Sequence, residues 1–361
     1  MTTVVSGDLV LADRVVPGRV AVEDGLIVDV RGGPGGPIVV PGLVDLHAHG
    51  ADGRTFNDPS ADAWSAILRS HRGQGTTSVL ATVATARWPE VVDAITVAGG
   101  LGQPVHVEGP YLAVEHRGAH PEGLLAAPSD GHWRDLVDHD VVRVVTMAPE
   151  LDGAATAAAD LAAAGITVAA GHTASTALPP AVRHVTHLWS GHTLLRKEGP
   201  WRRLGLLETV LADDDLTAEV IADGFHVPAE LLRIAYRCLG PDRLCLVSDA
   251  SAGTGLPVGS TFAMGGVAGV VADGVALSRD GTAFCGSTSF LSDVLRYALR
   301  EARLPLVDAV RMATATPARV GGLPGGRIVP GAPADLVVLG PDLAPRRVMA
   351  GGRWLDEVVA R

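Results

Sequence analysis

The chain has 361 residues, 47% hydrophobic and 19% charged, with a formal net charge of −11. Such a composition fills a large core and excludes a disordered chain, while the acidic balance leaves no broad phosphate-neutralising face and excludes nucleic acid as the main partner. Cys238, Cys245 and Cys285 form no C-x-x-C pair, which excludes a disulfide framework and a thiolate zinc site and suits a reducing cytoplasm; the opening MTTVVSGDLV lacks the basic and apolar segments of a signal peptide, and no run is long and apolar enough to span a membrane.

In chain order, residues 3–40 hold short β-prone runs, at 3–5, 19–22 and 26–30, broken by Gly and Pro. The middle alternates apolar strands with helical stretches, the pattern of βα units around a parallel sheet. Eight strands are expected at 42–47, 77–82, 105–108, 141–147, 167–171, 184–188, 218–222 and 244–248. The helices between them include 61–74, 154–164, 228–238 and 289–302. Eight such units close into a (β/α)8 TIM barrel more naturally than they form an open sheet. A Gly- and Val-rich stretch at about 255–286, with an Asp273-Gly274 turn, reads as β-hairpins inserted after the eighth strand. The last segment repeats the β-rich style of the first. The expectation is an α/β chain: residues 1–40 and 323–361 build one small β-sandwich from both ends, around a barrel at 41–322.

The polar residues fall at the strand ends. Strand one ends in His47-Ala-His49, strand three in Glu108, strand five at His172 and strand eight at Asp249; strand six carries His187. The C-terminal strand ends of a barrel face its active site, so four imidazoles and two carboxylates converge there, a ligand set for one or two divalent metals. His47 and His49 share one side of an extended chain and reach one ion. A divalent ion acidifies a bound water toward neutral pH and polarises a carbonyl. Asp249 can then accept the water's proton and deliver it to a departing amine, which leaves poorly unless protonated.

Several segments carry a family resemblance: PGLVDLHAHG (41–50), HVEGPYLAVEHRGAHP (106–121), GHTAST (171–176), THLW (186–189), IADGFHV (221–227), LVSDA (246–250) and ATATPAR (313–319). On these the chain resembles the N-acetylglucosamine-6-phosphate deacetylases of the amidohydrolase superfamily, over nearly its whole length. The resemblance implies a homodimeric cytoplasmic enzyme that splits an amino sugar's acetamide with a divalent metal: zinc, with iron or manganese also suited. It implies that Glu108, His172 and His187 hold the primary ion, and that His47 and His49, with Asp249 near both, hold a second in members that use two. His120 resembles the histidine that helps polarise the substrate carbonyl. His226 resembles one that reaches the substrate phosphate from the neighbouring subunit.

Two departures stand out. Many relatives bridge two metals with a carbamylated lysine at the end of strand four; here that strand ends in MAPE, and Lys197, the only lysine, lies beyond strand six. Glu108 is then the expected bridge. The family continues THLYNAM after strand six, where this chain has THLWSGH, so Ser190 and Gly191 replace a substrate-holding pair. A phosphate-binding arginine normally follows, since a guanidinium offers paired donors; Arg196, Arg202 and Arg203 are available, with Arg196 and Arg203 as the candidates, and the spacing does not choose among them. The other reading of this segment is a different N-acyl amino sugar, with or without phosphate. His71, His116, His132, His139 and His184 are expected to be solvated or structural, and Trp189 and Trp201 to pack.

Overall fold

The computed structural model describes residues 2–356; Met1 and residues 357–361 of the two end segments lie outside it. Eight strands form one parallel sheet in chain order: Leu43–Ala48, Thr76–Ala84, Val105–Glu108, Val142–Met147, Thr167–Ala170, Val182–Val185, Thr217–Ile221 and Leu244–Val247. The first and last meet through the Asp249 backbone N–H, which donates to the His47 carbonyl at 2.8 Å. Asp45 reinforces that seam, accepting from the Ser248 N–H at 3.1 Å and the Ser248 hydroxyl at 2.5 Å. A barrel results. Leu46, Leu80, Val144, Ala169, Ile221, Cys245 and Val247 form one buried cluster drawn from six of the strands, which only a closed interior allows.

The helices keep the outer layer where the sequence allows a helix. Ala61–Gly73 starts on Ser60, whose hydroxyl accepts from the Ala63 N–H, and buries Trp64, Ile67 and Leu68. Trp88–Leu101, Ala154–Ala163, Leu206–Ala212, Ala229–Leu239 and Leu291–Arg300 follow in their units. Two of the eight expected units lack an α-helix. Between the third and fourth strands there are only 3-10 turns, and between the fifth and sixth only loop. Both stretches carry helix breakers, Gly and Pro in EGPYLAVEHRGAHPEG and paired prolines in STALPPA.

The chain ends meet as expected. Thr3–Val10, Val15–Glu23, Leu26–Gly32 and Ile38–Pro41 share a seven-stranded sheet with Leu336–Leu339, Pro345–Ala350 and Arg353–Trp354. Ile38–Pro41 is the hinge of this arrangement, parallel to the first strand and antiparallel to Leu336–Leu339. This small β domain has its own core, including Leu9, Val20, Ile27, Val39, Leu336 and Met349. After the eighth barrel strand, Thr261–Met264, Val267–Val271, Val275–Ser278 and Phe284–Ser287 form an antiparallel meander. Its second turn is at Asp273-Gly274, with Gly274 at φ +76°. Residues of the meander roof the mouth of the barrel.

Candidate metal centre

Three of the eight strands stop just short of the residues that matter. His172, His187 and Asp249 each lie two residues past the end of their strand, at φ +48°, +22° and +49°. The sixth strand in particular ends at Val185, not at the expected Leu188, so His187 stands on a turn. Left-handed backbone at a non-glycine residue is strained, and its concentration here marks a site built against local preference.

Glu108 lies at the centre, fully buried at the end of the third strand. Its Oε1 faces His187 Nε2 at 2.9 Å and His172 Nε2 at 3.2 Å. Its Oε2 faces His49 Nε2 at 3.2 Å, His47 Nε2 at 3.4 Å and His120 Nε2 at 3.5 Å. Asp249 Oδ1 lies 3.3 Å from His49 Nε2 and 3.6 Å from His47 Nε2. The ligand atoms of His47, His49 and Asp249 fall within 4.8 Å of one another, as do those of His47, Glu108 and His187, and those of Glu108, His120 and His172.

The donor set fits a cation. His172 Nδ1 lies 2.8 Å from the His116 carbonyl and His187 Nδ1 lies 3.1 Å from the Ser190 carbonyl. A carbonyl only accepts, so those nitrogens carry the ring protons and each Nε2 turns a lone pair toward the carboxylate. Acceptors facing acceptors in a buried space require positive charge between them. With protons as the only source, the rings supply it: burial opposes charge on His47, yet Glu108 and Glu219 push that ring well above its ordinary range. Burial likewise opposes charge on Glu108, but His47 and the hydrogen bonds of His120, His172 and His187 hold its carboxyl well below the usual range. A divalent ion supplies the same charge in the same place.

His120 differs from the rest. Burial drives its pKa down to about 4, so at neutral pH it is an uncharged ring. Its Nδ1 lies 2.8 Å from the Thr85 hydroxyl. With that hydroxyl donating, the ring proton sits on Nε2, directed at the cavity.

The cavity above these groups measures about 350 Å³. His49, Glu108, His120, His172, His187 and Asp249 line its floor, with Trp189, Ser190, Gly191 and His226 in the wall and Met264, Val267, Phe284 and Cys285 above. His226 thus stands in the wall of its own chain's pocket. Its Nδ1 bonds Asp223 Oδ2 at 2.7 Å and its ring stacks on Phe284. Arg196 and Arg203 do not line this cavity within the single chain. They lie on an exposed hairpin, Arg196–Glu198 with Trp201–Arg203, turned at Gly199-Pro200, and Arg203 bonds Glu198 at 2.8 Å. Trp201 is 67% exposed rather than packed.

Sequence reasoning missed Glu219. It is fully buried on the seventh strand, 3.0 Å from His47 Nδ1 and 3.2 Å from His184 Nε2. His184 and His71 are likewise fully buried, so both are structural rather than solvated. The signal was an acid and a histidine inside strands otherwise apolar, TAEVI and VRHV. A second cavity, about 310 Å³ between the barrel and the terminal sheet, holds no histidine, and its one acid, Asp242, bonds Arg311 at 3.1 Å. It is no metal centre.

The sequence model of the amidohydrolase family matches residues 38–355. A Shewanella N-acetylgalactosamine-6-phosphate deacetylase is 32% identical over 88% of this chain and 83% of its own length. The human N-acetylglucosamine-6-phosphate deacetylase is 32% identical over 90% of this chain and 84% of its own. Among solved structures, a variant of the Mycobacterium smegmatis N-acetyl-D-glucosamine-6-phosphate deacetylase in complex with N-acetyl-D-glucosamine-6-phosphate superposes with a TM-score of 0.92. It is 32% identical, with 98% of this chain and 99% of that one covered.

Proposed function

This chain belongs to the amidohydrolase family, and from that premise we propose that it hydrolyses the acetamide of N-acetylglucosamine 6-phosphate to glucosamine 6-phosphate and acetate. The observation that supports it most is the division of Glu108: one oxygen faces His172 and His187, the other faces His47 and His49, with Asp249 beside the latter pair. That is the donor arrangement for two ions sharing a carboxylate. Glu108, His172 and His187 would hold one ion, and His47, His49, Asp249 and the other Glu108 oxygen the second. We assign zinc; iron and manganese suit the same imidazole and carboxylate donors. A divalent ion bound there supplies an acidified water and Lewis-acid polarisation of the acetamide carbonyl.

The chain's own residues do the rest. Asp249 takes the proton of the attacking water and passes it to the amine nitrogen as the C–N bond breaks. Its carboxyl is suited to receive one: burial works against its charge, but the His49 hydrogen bond and nearby imidazoles hold it below the ordinary range, so it starts as the base. Neutral His120, with its proton on Nε2, donates to the carbonyl oxygen as that oxygen gains charge. Trp189, Ser190 and Gly191 shape the sugar's seat.

The phosphate is the less anchored end. Among the described residues, no lysine or arginine lines the cavity. His226 stands in its wall, and the Arg196–Arg203 hairpin is exposed beside the apolar Leu194, Leu195, Trp201 and Leu204. We read that apolar surface as the contact of a homodimer, across which the hairpin arginines reach a phosphate. A cytoplasmic enzyme is consistent with the free cysteines, and among the described residues no helix is long and apolar enough to cross a membrane. The cation-free cavity favours one second reading, an N-acyl amino sugar without phosphate.

Acetate release from N-acetylglucosamine 6-phosphate, N-acetylgalactosamine 6-phosphate and free N-acetylglucosamine separates these readings. The phosphorylated gluco sugar is expected to turn over with the highest kcat/KM. Preference for the free sugar supports the second reading, and no acetate from any of them rejects both.

A further inference from the structure

We propose that Glu219 is a positioning residue that determines how tightly the second ion binds, by fixing the His47 ring with Nε2 toward the centre. The inference rests on the two-ion reading above. Glu219 sits on the Thr217–Ile221 strand, every residue of which is buried. A carboxylate in such a place is costly unless both oxygens find donors. Here they do. Oε2 lies 3.0 Å from His47 Nδ1 and 3.4 Å from the His187 backbone N–H, and Oε1 lies 3.2 Å from His184 Nε2.

The proton positions follow from the acceptors. His184 Nε2 faces Glu219 Oε1, and a carboxylate only accepts, so that nitrogen carries a ring proton and donates to Glu219, while the Thr217 hydroxyl, 2.7 Å from Nδ1, holds the other side of the ring. The ionised Glu219, which cannot donate, then takes a proton from His47 Nδ1. His47 Nε2 is left bare toward Glu108, His49 and Asp249. Three adjoining pieces of chain, carrying His184, Glu219 and His47, thus form one line of donors ending at the centre.

This support is unequal between the two ion positions. The rings of His172 and His187 lean on backbone carbonyls, which no side-chain substitution removes. His49 Nδ1 has no hydrogen-bond partner among the described residues. The position formed by His47, His49 and Asp249 therefore depends on His47, and His47 on Glu219. A carboxylate behind a ligating imidazole also raises its basicity, and such partners are typically worth about 10–100-fold in metal affinity.

The test is zinc titration of the metal-stripped full-length chain against a chromophoric chelator. Wild type is expected to take up two ions. Glu219→Gln keeps the size and one acceptor but drops the charge; the weaker ion should lose about 10–100-fold in affinity, with the tighter ion within about threefold. In a His47→Ala background the same change should add nothing. If Glu219→Gln does not fold, Thr217→Val removes the hydroxyl that holds the His184 ring and should weaken only the second ion. A folded variant with unchanged affinity for the weaker ion overturns the proposal, as does equal weakening of both ions. A wild type that takes up a single ion overturns the two-ion reading and this inference with it.

Discussion

Asp249 illustrates how the smallest scale controls the chemistry. It lies two residues past the eighth strand at φ +49°, with its N–H on the His47 carbonyl and its carboxylate 3.3 Å from His49. Asn has the same shape but carries no proton to deliver. Asp249→Asn should lower kcat by about 10²–10⁴-fold, the usual worth of positioned acid–base catalysis, with the melting temperature little changed; a full rate in steady-state assays would remove Asp249 from the mechanism. Gly191 is the second telling residue. At φ +69°, a Cβ there would lie 2.8 Å from His172 Nδ1 and 3.0 Å from the His116 carbonyl, the two partners of the bond that aims His172. Gly191→Ala should push His172 out of place and cost about tenfold or more in zinc affinity, measurable as metal content after dialysis. The site's ligands were legible because each is a polar residue where an apolar strand stops. Glu219 was not: one acid within an alternating run looks like the solvent face of a strand, and only a closed barrel makes that side an interior.

At the scale of elements, the strands were legible from their apolar runs, while the connections were not. The meander after the eighth strand shows why its internal packing bears on the site. Phe262 occupies the space that side chains at Gly253 and Gly269 would need, and it packs with Met264, Val271 and Cys285. Met264 and Cys285 line the cavity below. Phe262→Ala removes about 3 kcal/mol of buried packing, which should loosen the roof rather than unfold the barrel. Raised KM with kcat nearly retained, together with new protease cleavage between 255 and 286, is the expected result; unchanged KM would mean the meander does not help hold substrate. The hairpin carrying Arg196 and Arg203 gave the opposite lesson. Its basic residues suggested an anion site, and the tight turn at 199–200 leaves them on the surface, where only a second subunit would bring them to a phosphate.

Across the whole molecule, the barrel buries histidines beyond those proposed as ligands. Burial lowers His71 to about 4, and His106 and His192 to about 3. Each binds its proton more readily in the unfolded chain, whose imidazoles titrate near 6.5. Their contribution to stability is complete above that value and is lost as the pH falls from there toward 4 and 3. Burial opposes charge on His47 and His49, but their carboxylate neighbours raise both, so these two act in the opposite sense. The test therefore compares the metal-free chain with its His71→Gln variant. Losing that neutral ring should raise the melting temperature at about pH 5 relative to that at about pH 7.5, and calorimetry showing the same pH dependence in both proteins would contradict the buried, neutral assignment. The pairing of the two chain ends was legible from their shared β-rich style, since strands without a face to cover must find one another. The central claim remains the joint one, that imidazoles and acids from distant strands hold a cation that lets water cleave an amide. Acetate release from N-acetylglucosamine 6-phosphate, before and after stripping with a chelator and again after adding zinc back, tests it most directly. Turnover that vanishes on stripping and returns with the ion is the predicted result; turnover that survives stripping would contradict it.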